Sequence, residues 1–94
     1  MVKVSKRRCD PIAQNSLGVM FQKGEGTEMN FLLSYTWFKK SAESGYTPAQ
    51  VSLGYIYDQG MGTEQNKIKA FMWWKIASMH GDSDAMTLLK LLSN

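Results

Sequence analysis

Few side chains in this 94-residue chain are of a type that does covalent or acid–base chemistry, and they lie apart in the sequence. His80 is the only histidine and Cys9 the only cysteine. Catalysis by a general base or a nucleophile needs a reactive group oriented by partners. His80 falls where a helix is expected to end, and a cationic ring there complements the free carbonyls. Asp82 and Asp84 are close together but fall where the next helix must start, and acids are favoured there as caps and by the helix dipole. A lone cysteine forms no intramolecular disulfide and excludes the cysteine-rich zinc modules. The turns Gly24-Glu25-Gly26 and Gly60-Met61-Gly62 invite a phosphate-cradle reading. Neither has the Gly-Lys-Ser/Thr of a P-loop, no strand precedes them as a dinucleotide fingerprint requires, and Glu28 and Glu64 would repel a phosphate. The glycines read as turn punctuation. No catalytic, metal-ligating or cofactor-binding residue is assigned, and no cofactor is expected.

With chemistry set aside, composition bounds the rest. The chain is 44% hydrophobic and 20% charged, which is ordinary for one small globular domain. Its apolar runs are too short to span a membrane. The net charge of +3 owes much to Lys3, Lys6, Arg7 and Arg8; beyond them, seven lysines face eight acids. Residues 1–10 therefore read as a basic, solvated leader and a candidate for disorder, and the remainder lacks the clustered cations of a nucleic-acid surface. No apolar signal segment follows the leader, so a cytoplasmic location is expected. Neither nucleic acid nor membrane is an expected partner.

Beyond the leader, the chain is organised by an internal repeat. Shifted by 36 residues, segment 13–48 matches segment 49–84 at 13 positions without a gap. Ala13-Gln14 recurs as Ala49-Gln50, Leu17-Gly18 as Leu53-Gly54, and Gly24 to Glu28 is matched by Gly60 to Glu64. Asn30 and Asn66, Trp37 and Trp73, Lys39 and Lys75, Gly45 and Gly81 also pair. A third, partial copy begins at Ala85, with Leu89 in register. His80 has Ser44 as its counterpart, so no chemistry at that position repeats.

Each copy has the spacing of two antiparallel helices. In the second, Thr47 is expected as N-cap, with Pro48 at the first helical position and Gln50 at capping-box distance. Ala49, Leu53, Ile56 and Tyr57 then make one apolar stripe. The Gly60-Met61-Gly62 turn ends this helix, Asn66 caps the next, and Ala70, Trp73, Trp74 and Ala77 line its inner face until Gly81 stops it. In the first copy, Asp10-Pro11 opens the first helix and Ser34, Trp37, Phe38 and Ser41 are expected inward on the second. Small residues beside aromatics let helices approach while the rings fill the remaining space. The fold class is all-α, with about five helices. The seven methionines read as gap fillers rather than as a binding groove.

The residues Ala49-Gln50, Leu53-Gly54, Tyr57, Gly60, Gly62, Lys69-Ala70, Trp73, Ala77 and Gly81 together resemble the Sel1-like repeat. Copy one departs from it at Phe21, Leu33-Ser34 and Ser41. The resemblance implies a right-handed α-solenoid akin to tetratricopeptide arrays, occupying 11–94 as repeats 12–47 and 48–83 with a closing helix over 84–92. It also implies a protein-binding role. Relatives with paired cysteines are linked to β-lactam binding, but the pairs are missing here.

By similarity to tetratricopeptide arrays, a second stripe on the first helices faces the concave groove. It comprises Asn15, Val19 and Gln22, then Val51, Tyr55 and Asp58, then Thr87 and Leu91. Its mixture of apolar, aromatic and amide groups suits a protein or peptide. Ala85, Leu88, Leu89 and Leu92 would cover the second copy, whereas no cap is visible on the N-terminal side, where Phe31-Leu32-Leu33 opens a helix. That side is expected to meet a partner or a second copy of the chain. A bacterial-type adaptor or scaffold is the leading reading, a small inhibitor or immunity-type protein that blocks one enzyme is the alternative, and an enzyme comes last.

Overall fold

The computed structural model describes residues 10–93; the basic leader and Cys9 lie outside them. Five helices run through the described residues: α1 (Pro11–Lys23), α2 (Phe31–Glu43), α3 (Thr47–Gln59), α4 (Lys67–Met79) and α5 (Ser83–Ser93). Each packs chiefly on its neighbours in sequence, giving an elongated body of 48 × 26 × 17 Å. α1 with α2 and α3 with α4 are the two repeated pairs, and α5 is the first helix of a third.

The helix boundaries follow local chemistry. Asp10 caps α1 by accepting from the Ile12 amide at 3.0 Å. Asn30 and Asn66 cap α2 and α4, each accepting at 3.0 Å from the amide three residues on. Asp82 does the same for α5, accepting from Ala85 at 2.9 Å. α3 is the exception. Its cap position is Tyr46, with no side-chain bond, and Thr47 is already helical. The expected Thr47 cap is therefore one residue late. Pro48 at the second helical position has no N–H to be capped, and the Tyr46 carbonyl receives the Ala49 and Gln50 amides. The Gln50 side chain does not reach back to the cap; it is buried and donates to the Ala42 carbonyl at 3.2 Å.

Burial is deepest in the middle of the stack. Ala49, Leu53, Ile56 and Tyr57 are all buried, as their spacing predicts. Their α1 counterparts Ala13, Leu17 and Phe21 are half-buried, because α1 packs chiefly on α2 alone. On the second helices, one aromatic of each adjacent pair turns fully inward, Phe38 in α2 and Trp74 in α4, while Trp37 and Trp73 remain half-exposed. Serines replace two alanines of the second copy in α2 and use their hydroxyls across the hairpin. Ser34 donates to the Gly18 carbonyl at 2.8 Å and Ser41 to that of Pro11 at 2.6 Å.

The glycine turns lock one repeat to the next. Gly62, at φ +82°, lies so close to the Phe31 carbonyl that a Cβ would collide with it. Its counterpart Gly26 has only the Met20 methyl within 4 Å. The same turn is thus a half-buried, closely packed joint in copy two and an open corner in copy one.

Candidate interaction site

Near the C-terminal end of the stack, the first-helix wall borders a groove. Tyr55, on α3, is 46% exposed and lies beside Asp58. These two residues line a groove of about 300 Å³ with Lys67 and Trp74 of α4 and Leu88, Leu91 and Leu92 of α5. Helical spacing puts Tyr55 and Asp58 on one face, and α5 supplies the aliphatic wall opposite. Past Lys67 the groove opens into a shallower one of about 570 Å³ along Lys67, Ile68, Phe71, Leu91 and Leu92.

The charge in this groove is neutralised from within. Asp58 accepts from the Lys67 ammonium at 2.6 Å and from the Gln59 amide at 2.8 Å. The Lys67 bond, helped by Gln59 and opposed by partial burial, holds the Asp58 carboxyl below its ordinary range. The Gln65 side chain donates to the Asp58 carbonyl at 2.7 Å, which fastens the end of α3 to the following turn. The groove therefore presents an aromatic ring, aliphatic walls and one satisfied ion pair.

Of the stripe read from the sequence, the fold brings Tyr55, Asp58 and Leu91 together. Val51 and Val19 are half-buried and pack against the core, and the Val51 carbonyl accepts the Trp74 indole N–H at 3.0 Å. Asn15 and Gln22 are half-buried on α1, and the Asn15 amide oxygen is turned inward. Thr87 is exposed and is not among the residues that line the groove. Lys67 of the groove, and Ile68 and Phe71 of its open continuation, are lining residues that the stripe omits. A signal for them existed: the 36-residue shift makes Lys67-Ile68 the counterparts of Phe31-Leu32, already conspicuous as an apolar helix start.

A second cleft, of about 250 Å³, separates α2 from α4. Lys39 and Glu43 line one side, Lys69, Met72, Trp73 and Ile76 the other, and Tyr57 the floor. The Tyr35 and Tyr57 hydroxyls are 2.9 Å apart, with the rings edge-to-face at 5.7 Å. Lys69 lies 5.3 Å from the centre of the Tyr57 ring and Lys39 lies 5.9 Å from that of Tyr35. Burial, then the bond to Tyr35, push the Tyr57 phenol up from its ordinary value, which keeps it neutral. His80 ends α4 with its Nδ1 3.4 Å from the Thr47 hydroxyl. Among the described residues no group of three or more His, Cys, Asp or Glu could hold a metal, and no helix is long and apolar enough to cross a membrane.

The Sel1 repeat family model matches residues 11–46 and 47–82, two consecutive units covering most of the chain. The chain belongs to the Sel1 repeat family. A Sel1 repeat protein from Oxalobacter formigenes superposes with a TM-score of 0.86 at 32% identity, over 87% of this chain and 62% of that one. A protective antigen present in uropathogenic Escherichia coli strains, itself displaying an SLR fold, gives 0.88 at 32% identity over 96% of this chain and 19% of its own. Helicobacter pylori cysteine rich protein B shares the fold, with a TM-score of 0.80 at 20% identity over 84% of this chain and 59% of its own. Among curated sequences, a sel1-like repeat-containing protein of Acanthamoeba polyphaga mimivirus is 40% identical over 50 residues, 53% of this chain. This Sel1 chain spans only 9% of that viral relative's length.

Proposed function

We propose that this Sel1 chain is an adaptor that recognises another protein through the groove between α3 and α5. Sel1 repeat proteins are in general scaffolds for protein–protein interaction, and they form a non-enzymatic repeat family. The supporting observation is Tyr55, a half-exposed aromatic ring at the mouth of an aliphatic groove. Amphipathic aromatics in such settings anchor protein interfaces, with a truncation cost of about 2 kcal/mol or more at a true anchor. The paired Asp58 and Lys67 leave no uncompensated charge in the groove, so it suits an apolar segment, such as one turn of an amphipathic helix or an extended apolar peptide. Capture of partners from host lysate on immobilised protein tests the reading. Tyr55→Ala should abolish retention of the captured protein while the helical circular dichroism spectrum is preserved. Unchanged retention would reject the groove as the recognition site.

A further inference from the structure

We propose that the cleft between α2 and α4 is a second recognition site, which takes an acidic segment of a protein by seating one of its carboxylate side chains between Lys39 and Lys69. The cleft shares no lining residue with the Tyr55 groove, so this site is independent of the groove reading.

The near-neutral charge count beyond the leader conceals a segregation. The second helices, α2 and α4, hold five of the seven lysines there (Lys39, Lys40, Lys67, Lys69 and Lys75), with Glu43 as their one acid. The other two lysines and seven acids lie on the remaining helices and in the turns. The second-helix wall is therefore the cationic side of a body that is close to neutral as a whole. Lys67 is committed to Asp58. Lys39 and Lys69 are not: among the described residues neither has a carboxylate within 4.0 Å, not even Lys39 from Glu43 one helical turn on.

Each of these two ammoniums stands beside a ring instead, Lys69 5.3 Å from the centre of Tyr57 and Lys39 5.9 Å from that of Tyr35. The two rings meet edge-to-face at 5.7 Å, so one aromatic pair is approached by a cation from each helix that walls the cleft. A ring face leaves the N–H donors of an ammonium without an oxygen acceptor, and a carboxylate entering the cleft supplies one to both. The Tyr35–Tyr57 contact of 2.9 Å uses one of the two hydroxyl protons. When Tyr35 donates, the Tyr57 proton is left for an acceptor in the cleft whose floor it forms.

Size and charge select the occupant. At about 250 Å³ the cleft is smaller than the roughly 300–1,000 Å³ of sites that enclose whole small-molecule ligands, so it fits side chains of a segment laid across the wall. Half-exposed Trp73, with Met72 and Ile76, forms an apolar shelf on the α4 side, which suits an apolar neighbour of the carboxylate. Glu43 opposes the two lysines and leaves one net positive charge in the cleft, enough for a single carboxylate and poor for a phosphate dianion. Arginine, which grips phosphate bidentately, is absent from the described residues. A nucleic-acid strand would also need cations matched to successive phosphates, whereas here two ammoniums flank one acid.

Nitrogen–proton correlation NMR of the intact chain tests the site. The probe is a short end-capped peptide alternating glutamate with leucine and phenylalanine, and the control is the same peptide with glutamine for glutamate. The glutamate peptide should shift the Trp73 indole and the amides around Lys69 saturably, and bind about fivefold or more tighter than the control. Lys39→Gln and Lys69→Gln should each weaken it about two- to fivefold, and Glu43→Gln should strengthen it. Lys75→Gln removes the same charge from α4 outside the cleft and should leave binding nearly unchanged; the helical spectrum and melting curve report that each variant folds. No saturable shift at millimolar peptide overturns the proposal, as do equal binding of the two peptides, shifts confined to the Tyr55 groove, or a Glu43→Gln variant that binds no tighter. Tighter binding of a single-stranded oligonucleotide in the same cleft overturns it in favour of nucleic acid. Tyr55→Ala should leave peptide binding unchanged, so failure of this site and failure of the groove reading are told apart.

Discussion

Trp74 lies against Gly54 so closely that a Cβ on the glycine would come within 2.5–2.9 Å of ring atoms Cδ1 and Cε2. The indole N–H reaches past it to the Val51 carbonyl at 3.0 Å. One turn of helix is thereby held open by the absence of a side chain and closed by a ring. Gly54→Ala gains about 1 kcal/mol in helix propensity but overpacks the ring contact by about 1–3 kcal/mol. A net loss of up to about 2 kcal/mol is expected in urea unfolding, together with a shift in tryptophan fluorescence.

Trp74→Phe makes the second copy resemble the first, where Phe38 holds the same place over Gly18. It removes one buried hydrogen bond and leaves a small void, so a loss of about 2 kcal/mol is expected. Phe38→Trp is the harsher change, since α2 would have to accept a larger ring against Gly18. Chemical denaturation of the two variants side by side checks the order.

Asp58 gives the fold an acid-sensitive joint. Its carboxyl is lowered from an ordinary value of 3.8 by the Lys67 bond. The folded state therefore holds this proton less tightly than the unfolded state does. The resulting stability is present above about pH 4 and is lost as pH falls through the depressed value. Asp58→Asn should flatten that acid limb of the stability curve, and cost at most about 1 kcal/mol at neutral pH because Lys67 is largely exposed. Melting temperatures of both proteins between pH 2 and pH 7 (roughly the range that matters) would show it.

Ser34 and Ser41 stand where the second copy has Ala70 and Ala77. Their bonds to the carbonyls of Gly18 and Pro11 tie α2 to α1. These carbonyls keep helical or solvent alternatives, so Ser34→Ala and Ser41→Ala should each cost about 1 kcal/mol. Native-state hydrogen exchange should show the change in α1 and α2 first, because each unit of a stack leans on its neighbours.

Much of this fold is legible in the sequence. The 36-residue shift exposes the stack, and three of the caps, Asp10, Asn66 and Asp82, announce themselves by type and position. Thr47 misleads because Ser, Thr, Asp and Asn are preferred caps, while the backbone entering α3 starts one residue earlier. Spacing alone also leaves Trp73 and Trp74 both near the inner face. What turns Trp74 inward is Gly54 on another helix, a tertiary fact that no window of local sequence contains. The same holds for the groove. Tyr55, Asp58 and Leu91 share a helical stripe and meet as that stripe implies. Lys67, Ile68 and Phe71 belong to a second helix and join them only through the turn that follows α3. Asn15 and Val51 satisfy the stripe equally well by spacing, yet the packing between helices takes up their inner atoms.

Photo-crosslinking in the native host, with a photoreactive residue at position 55 and a control at Lys75 on the exposed side of α4, probes the recognition wall most directly. An adduct with a partner protein from position 55, and none from position 75, is the expected result. An adduct from position 75 alone would place recognition on the second-helix wall and overturn the assignment to the groove.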